Sequence, residues 1–192
     1  MVTFISSFVF AGVLSAYIFL GRSLARQANE ESLESRGRLA LYWVTQDVSA
    51  AFSITAQNPG QNMSGTQFTL SVPIYNPSSQ TSQVHTVTYA CDWSQGPALG
   101  ILERQVDSGT PLVLLTNLTN FSFGYYDMTG TPVTAPNSPP LAPQIDIKQV
   151  YMTYTSSAGY ATSGAQSQYT VVSPRVVMKN KTLLTDPNDP HS

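Results

Sequence analysis

The side chains able to do chemistry are few and scattered. His85 stands in an alternating stretch, His191 lies near the C-terminus, Cys91 is single, and Asp186 and Asp189 sit among prolines. No H-x-x-x-H, C-x-x-C, G-x-S-x-G or P-loop spacing occurs, so no metal site, thiol pair, activated serine or phosphate cradle is spelled out. The two C-terminal aspartates lack the ligand pattern of a calcium loop and read as a solvated tail. Cys91 comes just after Val87, Thr88 and Tyr89 and reads as a small strand-end residue, and a lone cysteine excludes an internal disulfide. Trp43 and Trp93 read as packing residues. Tyr125, Tyr126, Tyr151 and Tyr154 read the same way, with a subunit contact as their alternative role. This set points to no enzyme, no metal and no cofactor.

Composition narrows the field further. Only 10% of the 192 residues are charged and the formal net charge is -2, so the basic surface that neutralises phosphates is missing and nucleic acid is not an expected partner. N-x-S/T sequons begin at Asn62, Asn117, Asn120 and Asn180, as chance provides in a chain rich in Asn, Ser and Thr.

With no reactive constellation to position, the organising element is residues 1–21. Phe4, Ile5, Phe8, Val9, Phe10, Val13, Leu14, Tyr17, Ile18, Phe19 and Leu20 surround a helix on all sides, and no charge interrupts them before Arg22. About a dozen large apolar side chains, at roughly 1.5–3 kcal/mol each, make a burial term on the order of 20–30 kcal/mol, which excludes exposure to water. At ~1.5 Å per residue the run covers roughly 30 Å, enough to span a bilayer core. A cleaved signal peptide would have a basic start and a small-x-small site. No basic residue precedes this run, so the helix is expected to be retained.

Residues 22–53 continue the helix in polar form. Arg26 with Glu30, and Glu34 with Arg38, are opposite charges four apart, each worth a few tenths of a kcal/mol on an exposed helix. Leu33, Gly37, Ala40, Leu41, Val44, Val48, Ala51 and Phe52 recur at steps of three and four, with Arg38, Thr45, Gln46, Ser49 and Ser53 on the other side. That stripe needs a partner. Gly37 either admits a close backbone or marks a bend, and Gly12 and Gly21 are further candidate bends. Asn58, Pro59 and Gly60 are expected to end the helical region.

Residues 54–180 read as an antiparallel β-rich portion, and 181–192 as a loose tail. Phe68, Leu70, Val72 and Ile74 alternate with polar residues, and Pro73 argues for an edge or a strand end. Further strands are predicted over 84–90, 99–106, 111–115, 118–128, 145–154 and 168–178, with a hairpin turn at Asp107, Ser108 and Gly109. Leu118, Phe121 or Phe123, and Tyr125 are the core candidates of their strand. Loops are expected over 134–143 and 156–167. The fold class is α+β: a long N-terminal helix on an antiparallel sheet.

The order of these pieces resembles the type IV pilin-like family. Ala11-Gly12-Val13-Leu14, Arg38-Leu39-Ala40-Leu41 and Asp47 near the helix end are similar to the W-type minor pilins and the J-type minor pseudopilins of type II secretion. So are Leu102-Glu103-Arg104-Gln105-Val106, Phe123-Gly124-Tyr125-Tyr126-Asp127, Gln149-Val150-Tyr151-Met152-Thr153 and Val176-Val177-Met178-Lys179-Asn180. Mature chains of the family begin with a Phe-Thr-Leu-like segment and a glutamate, after a basic leader. Neither is present here, so Met1 is expected to be an internal methionine of a longer natural protein. Arg22 and Arg26 follow the span with nothing basic before it, and a basic leader would reverse that orientation signal.

The resemblance implies a minor filament subunit of a type IV pilus or a secretion pseudopilus that primes or caps assembly. Its partners would be other minor and major pilin-like subunits, the inner-membrane assembly machinery, and the lipid bilayer before assembly. The implied location is the bacterial inner membrane, single-pass with the C-terminal portion in the periplasm, then the filament. In this reading Phe4, Ile5, Phe8, Val9, Val13, Leu14, Tyr17, Ile18 and Leu20 form the membrane and filament helix. Leu33, Gly37, Leu41, Val44, Val48 and Phe52 hold the sheet on it. The alternative function is a single-pass periplasmic binding module that does not polymerise.

Overall fold

The computed structural model describes residues 2–55, 64–76, 81–133, 147–158 and 167–179. Asn58, Pro59, Gly60, the 134–143 loop, most of the 156–167 excursion, and the tail with Asp186, Asp189 and His191 lie outside the described residues. So do the side chains of Phe4, Ile5 and Phe8.

α1 (Val2–Ala50) is a single helix that passes Gly12, Gly21 and Gly37 without interruption. It ends earlier than the amphipathic pattern suggested. Ala51 closes it by donating to the Asp47 carbonyl at 2.9 Å, and Ser53 already belongs to a strand, so residues 51–53 leave the helix. Tertiary pairing overrides helical periodicity here, because the backbone of Phe52 finds its acceptor on Ser71 of the sheet.

Nine strands form one antiparallel sheet among the described residues: β1 (Ser53–Thr55), β2 (Gln67–Asn76), β3 (Thr81–Asp92), β4 (Gly100–Val106), β5 (Leu112–Tyr126), β6 (Pro132–Val133), β7 (Gln149–Ala158), β8 (Ser167–Val172) and β9 (Val176–Val177). The spatial order is β1-β2-β3-β4-β5-β7-β8, with β6 beside β5 and β9 beside β7. Neighbours in the chain are mostly neighbours in the sheet, as short turns such as Asp107-Ser108-Gly109 require. β1 covers only Thr69, Leu70 and Ser71 of β2, so Pro73 lies where β2 has a single neighbour and its missing N–H is tolerated.

The two strands predicted over 111–115 and 118–128 are one strand, β5, bent in the middle. Asn117 sits there at φ 55°, a left-handed conformation asparagine tolerates, and the pairing register slips on both sides of the strand nearby. The slip changes which parity faces inward. Leu118 is buried, and so are both Phe121 and Phe123, with Tyr125 following in step. Phe68 of β2 anchors this region, stacked on Tyr89 at 5.3 Å between centroids and edge-on to Phe123 at 4.4 Å.

The concave face of the sheet carries Leu70, Val87, Leu102, Leu118, Val150 and Met152, all fully buried, and α1 lies across it. Two segments are stitched into this core from outside the ladder. Tyr125 donates its hydroxyl to the Ser64 carbonyl at 2.7 Å, and Lys179 N–H bonds the Ser49 carbonyl at 3.2 Å, tying the chain after β9 to the last turn of α1.

Candidate functional site

The first feature is the apolar half of α1. Val9, Val13, Leu14, Ile18 and Leu20 are exposed, and Phe10, Tyr17 and Phe19 are 79%, 76% and 73% accessible. The apolar window of the helix that is long and hydrophobic enough to cross a membrane is 0% buried by the rest of the chain. Residues of this size left in water over several turns far exceed the scattered apolar exposure of an ordinary surface, and the surface they make is an interaction surface. Its chemistry is compatible with a single-pass anchor.

The second half of the helix is covered. Leu33, Gly37, Ala40, Val44 and Val48 are buried against the sheet, and Leu41 is half-buried. Phe52, half-buried, lies past the helix end on the crossing to β1 rather than in the helical stripe. At Gly37 the close neighbour is a side chain, not a backbone. The Tyr154 hydroxyl occupies the space where a Cβ would project, with the Tyr169 ring beside it. The Tyr154 hydroxyl is buried and has no hydrogen-bond partner among the described residues.

Between Val44 and Val48 the stripe contains a carboxylate, Asp47, only 4% accessible. It accepts from Tyr89 Oη at 2.6 Å, from Arg104 Nε at 2.7 Å and from Arg104 Nη2 at 3.1 Å. The Arg104 guanidinium also lies over the Trp43 ring, 4.6 Å from its centroid. A buried charge is tolerated only when paired and hydrogen-bonded, and the bidentate fork of arginine meets that condition for Asp47. Burial pushes the Tyr89 phenol well above its usual range, and the neighbouring Asp47 carboxylate pushes it the same way, so Tyr89 remains a donor. For Arg104, burial works against the charge, but the hydrogen bonds and charge of Asp47 more than offset it and its pKa is raised. One helical carboxylate thus joins two strands, β3 and β4, to α1. Sequence reasoning placed Asp47 and Arg104 in separate segments and did not pair them. The available signal was a carboxylate on the apolar face of a helix.

The remaining titratable groups are local. His85 Nδ1 lies 2.6 Å from Asp107 Oδ2, while Asp107 Oδ1 accepts the Thr86 N–H at 2.8 Å. The pair rigidifies the β4–β5 turn, where Asp107 has φ 50°. These bonds, that to His85 first, hold the Asp107 carboxyl below the usual range. Burial, reinforced by the Asp92 charge, pushes the Cys91 thiol up to about 12, leaving it un-ionised and unreactive at neutral pH. No group of three or more metal-ligating side chains occurs among the described residues. A shallow groove of about 390 Å³ beside the outer face of α1 is lined by Arg38, Leu41, Tyr42, Thr45, Gln46, Ser49 and Pro174, with Arg38 its one charged member.

The four tyrosines considered as one contact separate onto two faces. Tyr125 and Tyr154 are in the core, while Tyr126 and Tyr151 are half-exposed on the opposite side, 5.6 Å apart, with Arg175 over Tyr126 at 3.7 Å. The Tyr151 ring lies directly over Gly124 of the neighbouring strand, where any Cβ would collide with it.

No protein-family model matches the sequence, and no curated protein matches it either.

Proposed function

We propose that the chain is a structural subunit of a type IV pilus or type II secretion pseudopilus, a pilin-like minor subunit that assembles through α1 and primes or caps the filament. The observation that carries this reading is the apolar rod exposed on every side, continuous with a helix whose other half is held on an antiparallel sheet. Such a rod is equally content in lipid and among like rods, since both bury the same side chains, so transfer from bilayer to helix bundle requires little net free energy. The order of the strand segments similar to W-type and J-type subunits supports the assignment. In this reading the rod sits in the bacterial inner membrane with the sheet in the periplasm before assembly, and the partners are other pilin-like subunits and the inner-membrane assembly machinery.

The test is co-expression of the full chain with a set of minor and major pilin-like subunits in a bacterial host. Retention of the chain in membranes through alkaline carbonate, and recovery of pilin-like subunits with it from detergent, are the expected results. A chain released by carbonate would overturn the proposal. So would one that remains a monomer in detergent and saturably binds a small ligand.

A further inference from the structure

The two flanks of the seam between α1 and the sheet are closed differently. On the flank toward β4 and β5, Arg36 Nη1 donates to Thr116 at 3.0 Å and Asp47 accepts from two nitrogens of Arg104, so side chains fasten helix to sheet. On the other flank lies the groove of about 390 Å³, walled by Leu41 and Tyr42 of the helix and by Pro174 of the link between β8 and β9. Ser49 lines one end of it and Arg38 the other. The sheet edge beside it is open, since among the described residues β8 and β9 pair only with β7. An unpaired edge next to an apolar trough is the kind of surface that folded chains cover.

The chain itself is delivered to the mouth of this groove. After β9, Met178 N–H bonds the Lys148 carbonyl at 3.0 Å and Lys179 N–H bonds the Ser49 carbonyl at 3.2 Å. The backbone thus steps from the sheet edge onto the end of the helix that carries the groove. We infer that residues 180–192 of this same chain occupy the groove, running back along α1 with Leu183 and Leu184 against Leu41, Tyr42 and Pro174, and with Asp186 at Arg38. The lengths agree. From Ser49 back to Leu41 the helix covers roughly 12 Å, and back to Arg38 roughly 16 Å. An extended chain reaches roughly 13 Å from Lys179 to Leu183 and roughly 23 Å to Asp186, which leaves slack for a bend. The chemistry agrees too. Leu183 and Leu184 are adjacent large apolar side chains, and the first carboxylate after them is Asp186. Arg38 pairs with Glu34 at 2.6 Å, yet its side chain is 76% accessible, so its remaining donors can meet a second carboxylate. Pro187 and Pro190 follow and lack N–H groups, which ends strand pairing beyond Asp186. The segment straps the second flank of the seam, and any neighbouring molecule that uses this side of α1 must displace it. The contact lies within one chain and stands apart from the filament reading.

Alkylation of an introduced thiol tests the contact in the full chain in detergent. Thr45 lines the groove, so Thr45→Cys should react at least about tenfold more slowly than the same thiol in a chain that also carries Leu183→Asp and Leu184→Asp, or in one that stops at Lys179. Buried Cys91 reports in every variant that the fold is kept. Arg38→Glu should raise the rate, and Arg38→Glu with Asp186→Arg should lower it again. With Thr182→Cys added, oxidation of Thr45→Cys should give a disulfide within one chain that the two leucine substitutions abolish. Equal rates with and without the leucine substitutions overturn the inference: a fast thiol in both means an open groove, and a slow one means that detergent or lipid covers it. Disulfides between chains, in a mixture of one carrying Thr45→Cys and one carrying Thr182→Cys, assign the groove to a second copy and overturn the intrachain contact. Should the chain that stops at Lys179 expose Cys91 by unfolding, the full-length leucine and Arg38 variants decide. None of these outcomes depends on membrane retention or on recovery of pilin-like subunits, so the proposed function stands or falls separately.

Discussion

Asp47→Ala offers the sharpest test of how the helix is held. The substitution removes an acceptor that takes one hydrogen bond from Tyr89 and two from Arg104, and leaves a guanidinium whose side chain is 11% accessible facing an empty site. Removing one member of a buried pair costs about 3–5 kcal/mol, most of it the desolvation of the charge left behind. For a folded unit of this size that corresponds to a fall of roughly 10–20 °C in melting temperature. The full chain in detergent, followed by near-ultraviolet circular dichroism, gives the readout, and Trp43 under the Arg104 guanidinium is a local reporter. Replacing both charges, Asp47→Leu with Arg104→Met, should recover most of the loss because no unpaired charge remains. A fall smaller than about 1 kcal/mol for Asp47→Ala, or strictly additive losses in the double variant, would show that the pair is screened by water and does not fix the helix.

Three further outcomes follow from the same structure. Gly37→Ala should destabilise by about 1–3 kcal/mol through collision with the Tyr154 hydroxyl, despite the gain of about 1 kcal/mol in helix propensity, and Tyr154→Phe, which deletes an unpartnered buried hydroxyl, should be tolerated and should relieve Gly37→Ala. A Gly37→Ala protein as stable as the parent in thermal melting contradicts the packing. Cys91, with its pKa pushed up to about 12, should resist alkylation in the folded chain at mildly alkaline pH and react on unfolding, and labelling at equal rates in both states is the contrary result. For Asp107 the folded pKa is depressed, so its contribution is present above the unfolded carboxylate value and is lost as pH falls through the lower folded value. His85→Ala should therefore flatten the acid limb of the melting profile, and an unchanged limb refutes the link.

Much of the architecture was legible because it is written in one dimension. An uninterrupted apolar run, a stripe at steps of three and four, and alternation of period two each depend on near neighbours in the chain, and the helix, its buried face and most strands follow from them. What joins distant segments was not legible. Tyr89 and Arg104 lie 42 and 57 residues from Asp47, and only the sheet order brings them to one carboxylate. The merging of two predicted strands into β5 depends on the left-handed turn of Asn117, which residue type permits but does not require. The sidedness of the tyrosines was within reach: Tyr125 and Tyr126 are adjacent, and Tyr151 and Tyr154 are an odd number apart, so neither pair shares a face of a strand.

The way α1 meets the sheet fixes how the molecule bears mechanical load. Contact runs from Leu33 to Val48, about 22 Å along the helix axis at ~1.5 Å per residue. A pull on the N-terminal end is therefore spread in shear along that whole seam, with the Asp47–Arg104 bond at its far end, instead of peeling the strands apart one at a time. Tension on the rod stretches the seam as a unit, and the β portion is carried along as rigid cargo.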